Sequence, residues 1–188
     1  MRGYFGIGID GATKTGNMGN LIRTAYSFGA AYAFITKPQG GETKNNLAIT
    51  KDFADTSKTW KQIPFYMYQG PDEIQMPKGC RMVGVELTDE SIDLPSFRHP
   101  HQAVYVLGAE IYGLSKPMLD RCDDVIKIPT QFSLNVATAG AIVMYDRMRM
   151  LGGFPDRPIM TGQPIEEKTH IQGGPKMRAL KNKNKQEE

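Results

Sequence analysis

A chain of 188 residues, 40% hydrophobic and 23% charged, is long enough to bury one core without disulfide or metal staples. A net charge of +3 gives no compositional argument for a nucleic-acid binder, and two unspaced cysteines, Cys80 and Cys122, exclude a disulfide scaffold and a cysteine-rich metal module. No apolar run approaches the ~18 residues of a membrane span, and Met1-Arg2-Gly3-Tyr4 opens a stretch too short and glycine-broken for a secretory leader. A cytoplasmic chain that meets no membrane is therefore expected.

Gly3 to Ile9 reads as a buried strand closed by Asp10-Gly11. A loop over 12–18 feeds a helix from about Gly19 to Gly29, where Leu21, Ile22, Ala25 and Phe28 repeat at helical spacing and Gly29 can end the helix. Ala31 to Thr36 is a second strand. A short helix is expected around Asp55 to Trp60, a strand over Pro64 to Tyr68, and a short helix from Pro71. Arg81 to Leu87 and Ala103 to Leu107 are strands; Ser115 to Cys122 is a helix with Ser115 as its cap. Val125 to Ile128 is the last strand and Asn135 to Leu151 the last helix. Apolar strands alternating with helices predict an α/β fold, a mostly parallel sheet flanked by helices.

After Gly152-Gly153 the composition changes. Residues 154–188 hold four prolines, and 168–185 hold six basic residues (Lys168, Lys176, Arg178, Lys181, Lys183, Lys185) with no acid. The expected organisation is a folded domain over 1–152 and a basic, extended or disordered tail over 153–188.

Four stretches can carry chemistry. Gly6-Ile-Gly8-Ile-Asp-Gly11 satisfies a dinucleotide fingerprint in letters only: its first two glycines fall inside the strand, and no acid ends the second strand at Ile35-Thr36-Lys37. Asn17-Met-Gly19-Asn20-Leu-Ile-Arg23 sits at a loop-to-helix junction. Asn20 could be a simple cap and Arg23 a solvated residue, yet Arg23 lies close to the apolar edge and an arginine at a helix start suits phosphate. Gly108-Ala-Glu110-Ile-Tyr-Gly113-Leu114 follows a strand directly, where parallel sheets place ligand loops. Ser133-Leu134-Asn135-Val136 opens a helix whose small residues at 137, 139, 140 and 141 leave room for a second helix, backbone or a flat ligand. Ser133 and Asn135 could also be caps alone. His99-Pro-His101 lacks a third ligand at metal spacing, so no metal site is expected.

Taken in order, Asn17 to Arg23, Gly108 to Leu114, and Ile128-Pro129 with Ser133 to Val136 resemble the three motifs of the TrmH-like (SpoU) branch of the SPOUT superfamily, RNA ribose 2′-O-methyltransferases. Val83 to Ser91 resembles the strand and loop before the second motif in some members. The resemblance spans about residues 3–150. It departs from the family pattern in the short Thr130-Gln131-Phe132 connection and in Ala137, where serine is common. The resemblance implies a C-terminal trefoil knot, a homodimer, an RNA substrate (tRNA or rRNA) and S-adenosylmethionine as cofactor. Carried over residue by residue, it places the cofactor against Leu87, Gly108, Gly113, Ile128 and Leu134. It assigns catalysis to Arg23, with Asn17, Glu110, Ser133 and Asn135 orienting the arginine, the cofactor or the ribose. The homodimer would give the bare helix face at 137–141 its reason, and the missing side chain at Gly108 would let the cofactor approach the backbone. The rival function is a knotted RNA-binding protein without catalysis.

Overall fold

The computed structural model describes residues 3–38, 59–110 and 112–154. Seven parallel strands form one sheet: β1 (Tyr4–Asp10), β2 (Tyr32–Thr36), β3 (Phe65–Tyr68), β4 (Arg81–Val85), β5 (Ile92–Asp93), β6 (Gln102–Gly108) and β7 (Asp124–Lys127), in the order β3-β2-β1-β6-β4-β7-β5. Among the described residues, three α-helices accompany them: α1 (Thr15–Ser27), α2 (Lys116–Leu119) and α3 (Val136–Met150). The expected α/β class with a parallel sheet is what the chain forms. Two compact units divide it at Gly153, and of the second, Phe154–Glu188, only Phe154 is described. The tail expected there lies outside the described residues.

Alternation along β1 builds both faces of the sheet at once. Phe5, Ile7 and Ile9 join Leu21 and Ile22 of α1 and Val143 and Met144 of α3 in one core. Each such fully buried side chain contributes roughly 1.5–3 kcal/mol. The other face of β1 carries Gly6 and Gly8. A Cβ at Gly8 would lie 2.6 Å from the Phe34 ring, and one at Gly6 would collide with the Tyr32 ring. These two glycines admit aromatic rings of the neighbouring strand, and the apparent dinucleotide fingerprint dissolves into packing. Phe34, Met82, Val104, Val106, Leu114 and Met118 form the core on that side.

Several boundaries differ from the sequence expectation. Helix α1 starts at Thr15, not Gly19, so Asn17 lies in its first turn. Asn20 is inside the helix, its carbonyl accepting from Thr24 Oγ1 (2.8 Å), and caps nothing. Strand β5 was not expected; two exposed residues carry no pattern. The strand expected to reach Leu87 ends at Val85, and the helix expected over Ser115 to Cys122 spans only Lys116–Leu119, with Ser115 capping it as expected. The helix expected at Asp55 to Trp60 falls mostly outside the described residues; Thr59–Lys61 is a 3-10 turn. At Gly140 the bare face of α3 has a reason inside the chain: a Cβ there would collide with Leu21 Cδ1 and come within 3.6 Å of Ile7 Cδ1, so α1 and β1 require the small residue.

Below the sheet, at the N-terminal ends of β1 and β6, Arg147 is almost fully buried. It donates to the carbonyls of Pro100 (2.5 Å), His101 (2.8 Å) and Tyr4 (3.3 Å) and to the Tyr105 hydroxyl (3.2 Å). Four acceptors and two aromatic faces, Phe5 and Tyr105, satisfy a charge that would otherwise be prohibitive there. His99 completes this network, with Nδ1 2.6 Å from Tyr105 Oη and Nε2 3.1 Å from Asp146 Oδ2. The His-Pro-His stretch is thus an architectural joint.

Candidate active site

Because every strand runs the same way, β1, β4, β6 and β7 end on one side, where parallel sheets collect their ligand loops. A cleft of about 380 Å³ opens there, within the ~300–1,000 Å³ usual for small-molecule sites. Its walls are the loop after β4 (Glu86, Leu87), the loop after β6 (Gly108, Glu110, Gly113), the segment after β7 (Ile128, Thr130) and the entry to α3 (Ser133, Leu134, Asn135). Of the residues expected at the site, Leu87, Gly108, Glu110, Gly113, Ile128, Ser133, Leu134 and Asn135 all line this one cleft.

Asn17 reaches its mouth through hydrogen bonds. Its amide Nδ2 donates to Glu110 Oε1, and Asn135 Nδ2 donates both to Asn17 Oδ1 (3.0 Å) and to Glu110 Oε1 (3.0 Å). Asn135 Oδ1 meanwhile accepts from the backbone N–H groups of Ala137 (3.0 Å) and Thr138 (3.4 Å) at the start of α3. Capping and networking are therefore one act: the two N–H groups of the helix oblige Asn135 to turn its oxygen inward and its NH2 toward Glu110. Lys14 forms an ion pair with Glu110, and this lysine, ahead of the Asn17 bond, holds the Glu110 carboxyl below its ordinary range. Glu110 is accordingly an ionised acceptor and a weak base.

Arg23 is not in this cluster. It is exposed on α1, six residues beyond Asn17, which is about 9 Å along the axis and about 120° around it. The sequence neighbours Leu21, Ile22 and Ala25 are buried, but residue 23 falls on the outer arc.

The shape of the second loop has a local cause. A Cβ at Gly108 would lie 2.6 Å from Gly113 Cα and would also strike the Leu114 backbone, because the loop folds back and closes with Gly113 N donating to Ala109 O (2.8 Å). The space expected beside Gly108 for a ligand is filled by the other end of its own loop. Gly113 itself has φ +66°, the left-handed region that glycine tolerates. The loop is also fastened at two further points. Buried Asp10, at the end of β1, accepts from Ser115 N (2.8 Å) and from Thr36 Oγ1 (2.5 Å), and Glu86 accepts from Leu114 N (2.7 Å). Neither carboxylate was expected at the site. A single acid at a strand end carries no spacing signal, and only the fold shows what it holds.

The residues fit a nucleoside sulfonium such as S-adenosylmethionine. Leu107, Ile128, Leu134 and Val136 offer apolar walls, and the non-helical backbone of Gly108 to Glu110 borders the same space. Among the described residues no group of three or more His, Cys, Asp or Glu side chains could hold a metal ion, and no helix is long and apolar enough to cross a membrane.

A parallel sheet with this cleft defines an α/β protein with a ligand site at its strand ends, and comparison with known proteins gives the class a name. The chain matches the SpoU rRNA Methylase family over residues 5–145, three-quarters of its length, and belongs to that family. It is 29% identical over 154 residues to the mouse tRNA (guanosine(18)-2′-O)-methyltransferase TARBP1, covering 74% of this chain but 9% of that protein. It is 25% identical to the tRNA (guanosine(18)-2′-O)-methyltransferase of Aquifex aeolicus, covering 84% of this chain and 76% of the relative. The crystal structure of an AdoMet-bound rRNA methyltransferase from Sinorhizobium meliloti superimposes with a TM-score of 0.65 at 25% identity, covering 79% of this chain and 57% of that one.

Proposed function

We propose that the chain transfers the methyl group of S-adenosylmethionine to a ribose 2′-hydroxyl of a structured RNA, tRNA or rRNA. The observation that carries this reading is the bonded cluster of Asn17, Glu110 and Asn135 at the mouth of the cleft lined by Leu87, Gly108, Gly113, Ile128 and Leu134. Three segments far apart in sequence meet there, and each comes from one of the motifs of the family. The likeness to the mouse and Aquifex tRNA (guanosine(18)-2′-O)-methyltransferases and to the Sinorhizobium rRNA methyltransferase supports the same activity.

The cofactor, when bound, supplies a methyl group on a positively charged sulfur. The work left to the protein is to place a weakly nucleophilic hydroxyl in line and to ease loss of its proton. Positioning of this kind is worth roughly 7–11 kcal/mol in favourable cases. Leu87, Ile128 and Leu134 hold the cofactor, while Asn17, Asn135 and Ser133 present polar groups at the cleft mouth. Arg23 engages the acceptor: its guanidinium, always charged and no base, grips a ribose or phosphate oxygen and assists proton loss electrostatically.

Arg23 does not line the cleft of its own chain, so we infer a homodimer in which a second copy and the RNA complete the site. The exposed Tyr26 on α1 and Tyr145 on α3 are suitable for such an interface. A trefoil knot belongs to the same reading. Its support is the seating of β7 between β4 and β5, two strands that are joined in sequence by residues 86–91 alone. Purified protein incubated with methyl-labelled cofactor and total RNA tests the activity. Retained RNA binding without any transfer would instead establish the second reading, a knotted RNA-binding protein, which Arg23's distance from the cleft favours.

A further inference from the structure

We propose that Glu86 is a positioning residue for the cofactor: its carboxylate ties the loop after β4 to the loop after β6 and so sets the width of the cleft between them. The proposal rests on the reading of that cleft as the cofactor site. Glu86 is the first residue past β4, and its backbone N–H still donates to Ile126 O (3.0 Å), so its main chain is held by β7. From there Oε1 accepts from Leu87 N (2.9 Å) and Oε2 from Leu114 N (2.7 Å), 28 residues further on. One side chain thus bridges two walls, one carrying Leu87 and the other Gly108 and Gly113.

The residue type is dictated by this task. Two N–H donors from separate loops need two acceptor atoms, and an ionised carboxylate offers both, with stronger bonds than a neutral group makes. Glutamine has one acceptor oxygen, and its NH2 would confront a backbone N–H. Gly113 is matched to the carboxylate: a Cβ there would come within 3.0 Å of Glu86 Cδ. Asp10 holds the following residue, Ser115, from the other side, and Gly113 N keeps its bond to Ala109 O, so without Glu86 the loop stays attached at 113 and 115 but loses its tie to the β4 side at Leu114. The expected effect is on cofactor affinity rather than on the chemical step.

The test uses the full chain with the substitutions Glu86→Gln, Glu86→Ala and, as a probe of the cleft itself, Leu134→Arg. Calorimetric titration with S-adenosylmethionine should give dissociation constants raised about tenfold or more for Glu86→Ala and by an intermediate factor for Glu86→Gln, tenfold being about 1.4 kcal/mol. The KM for the cofactor should rise in step while kcat at saturating cofactor falls less than about threefold. Exchange of the Leu114 amide hydrogen should accelerate in both variants. If Glu86→Ala does not fold, Glu86→Gln alone decides. Abolished binding in Leu134→Arg beside unchanged binding in the Glu86 variants overturns the proposal while the cleft reading stands. Unchanged binding in Leu134→Arg overturns the cleft reading, and the proposal with it. A kcat loss as large as the affinity loss also overturns the proposal, because Glu86 would then act in the chemistry.

Discussion

Asn135 and Asn17, 118 residues apart, are joined by a hydrogen bond of 3.0 Å from Asn135 Nδ2 to Asn17 Oδ1, and the same NH2 reaches Glu110. Its orientation is imposed by the helix that Asn135 caps, so the start of α3 holds the start of α1 through one amide.

That double role can be separated. Serine caps a helix about as well as asparagine but has no NH2 to donate, whereas alanine does neither. Asn135→Ser should unfold within about 0.5 kcal/mol of the wild type yet lose at least about tenfold in turnover, while Asn135→Ala should also lose about 1 kcal/mol of stability. Thermal unfolding alongside methyl-transfer rates checks this; equal turnover in Asn135→Ser and wild type would reduce Asn135 to a cap.

Gly108 is required by its own loop before any ligand arrives. Gly108→Ala forces a Cβ against the backbone of Gly113 and Leu114, which cannot move aside as a flexible side chain would. A stability loss of about 1–3 kcal/mol is expected, with cofactor affinity falling as well. Denaturant titration of the cofactor-free protein measures the first effect; an unchanged midpoint would show that the loop opens at no cost. The bulkier Gly108→Leu should fail for the same reason.

The buried His99 makes stability depend on pH. Burial, first, and the nearby Arg147 hold its pKa below the ordinary 6.5, with Asp146 opposing them. The unfolded chain therefore binds the proton first. The contribution is full above pH 6.5 and is lost as pH falls from there toward the depressed folded value. His99→Gln, which cannot titrate, should be less stable at neutral pH but should show a smaller stability loss between pH 7 and 5. Parallel curves for the two proteins would mean that His99 titrates alike in both states.

Most of the sheet was legible because β1, β2, β3, β4 and β6 each hold a stretch of four or more apolar residues, glycines included, and β7 centres on Val125-Ile126. Strand β5 was not, since Ile92–Asp93 is two exposed residues paired with β7. The start of α1 was missed because Thr15 to Asn20 is polar and glycine-rich, without the apolar repeat that marks Leu21 onward. In the cleft, motif letters located Gly108, Glu110 and Asn135, yet they could not say that these bond to Asn17. Arg23, between Ile22 and Ala25, looked close to the apolar edge, and the helical angle turns it outward. Glu86 and Asp10 stayed silent because a lone carboxylate acquires meaning from the amides that the fold brings to it.

The six basic residues over 168–185 suit a nonspecific grip on phosphates. Ending the chain after Gly153 should weaken RNA binding and flatten its dependence on salt, each lost phosphate contact reducing the slope of log K against log salt by roughly 0.7–0.9. Filter binding across a salt series reads this directly, and an unchanged slope would assign the tail no contact with RNA.

The most direct test of the central claim is alkaline hydrolysis of RNA after reaction with methyl-labelled cofactor, comparing wild type with Arg23→Ala. A methylated 2′-hydroxyl cannot attack the neighbouring phosphate, so label should appear in an alkali-resistant dinucleotide. Arg23→Ala should lose that label by at least about a hundredfold while binding the cofactor within about threefold of wild type. Label in single nucleotides, which marks a methylated base, or full transfer by Arg23→Ala, would contradict the account.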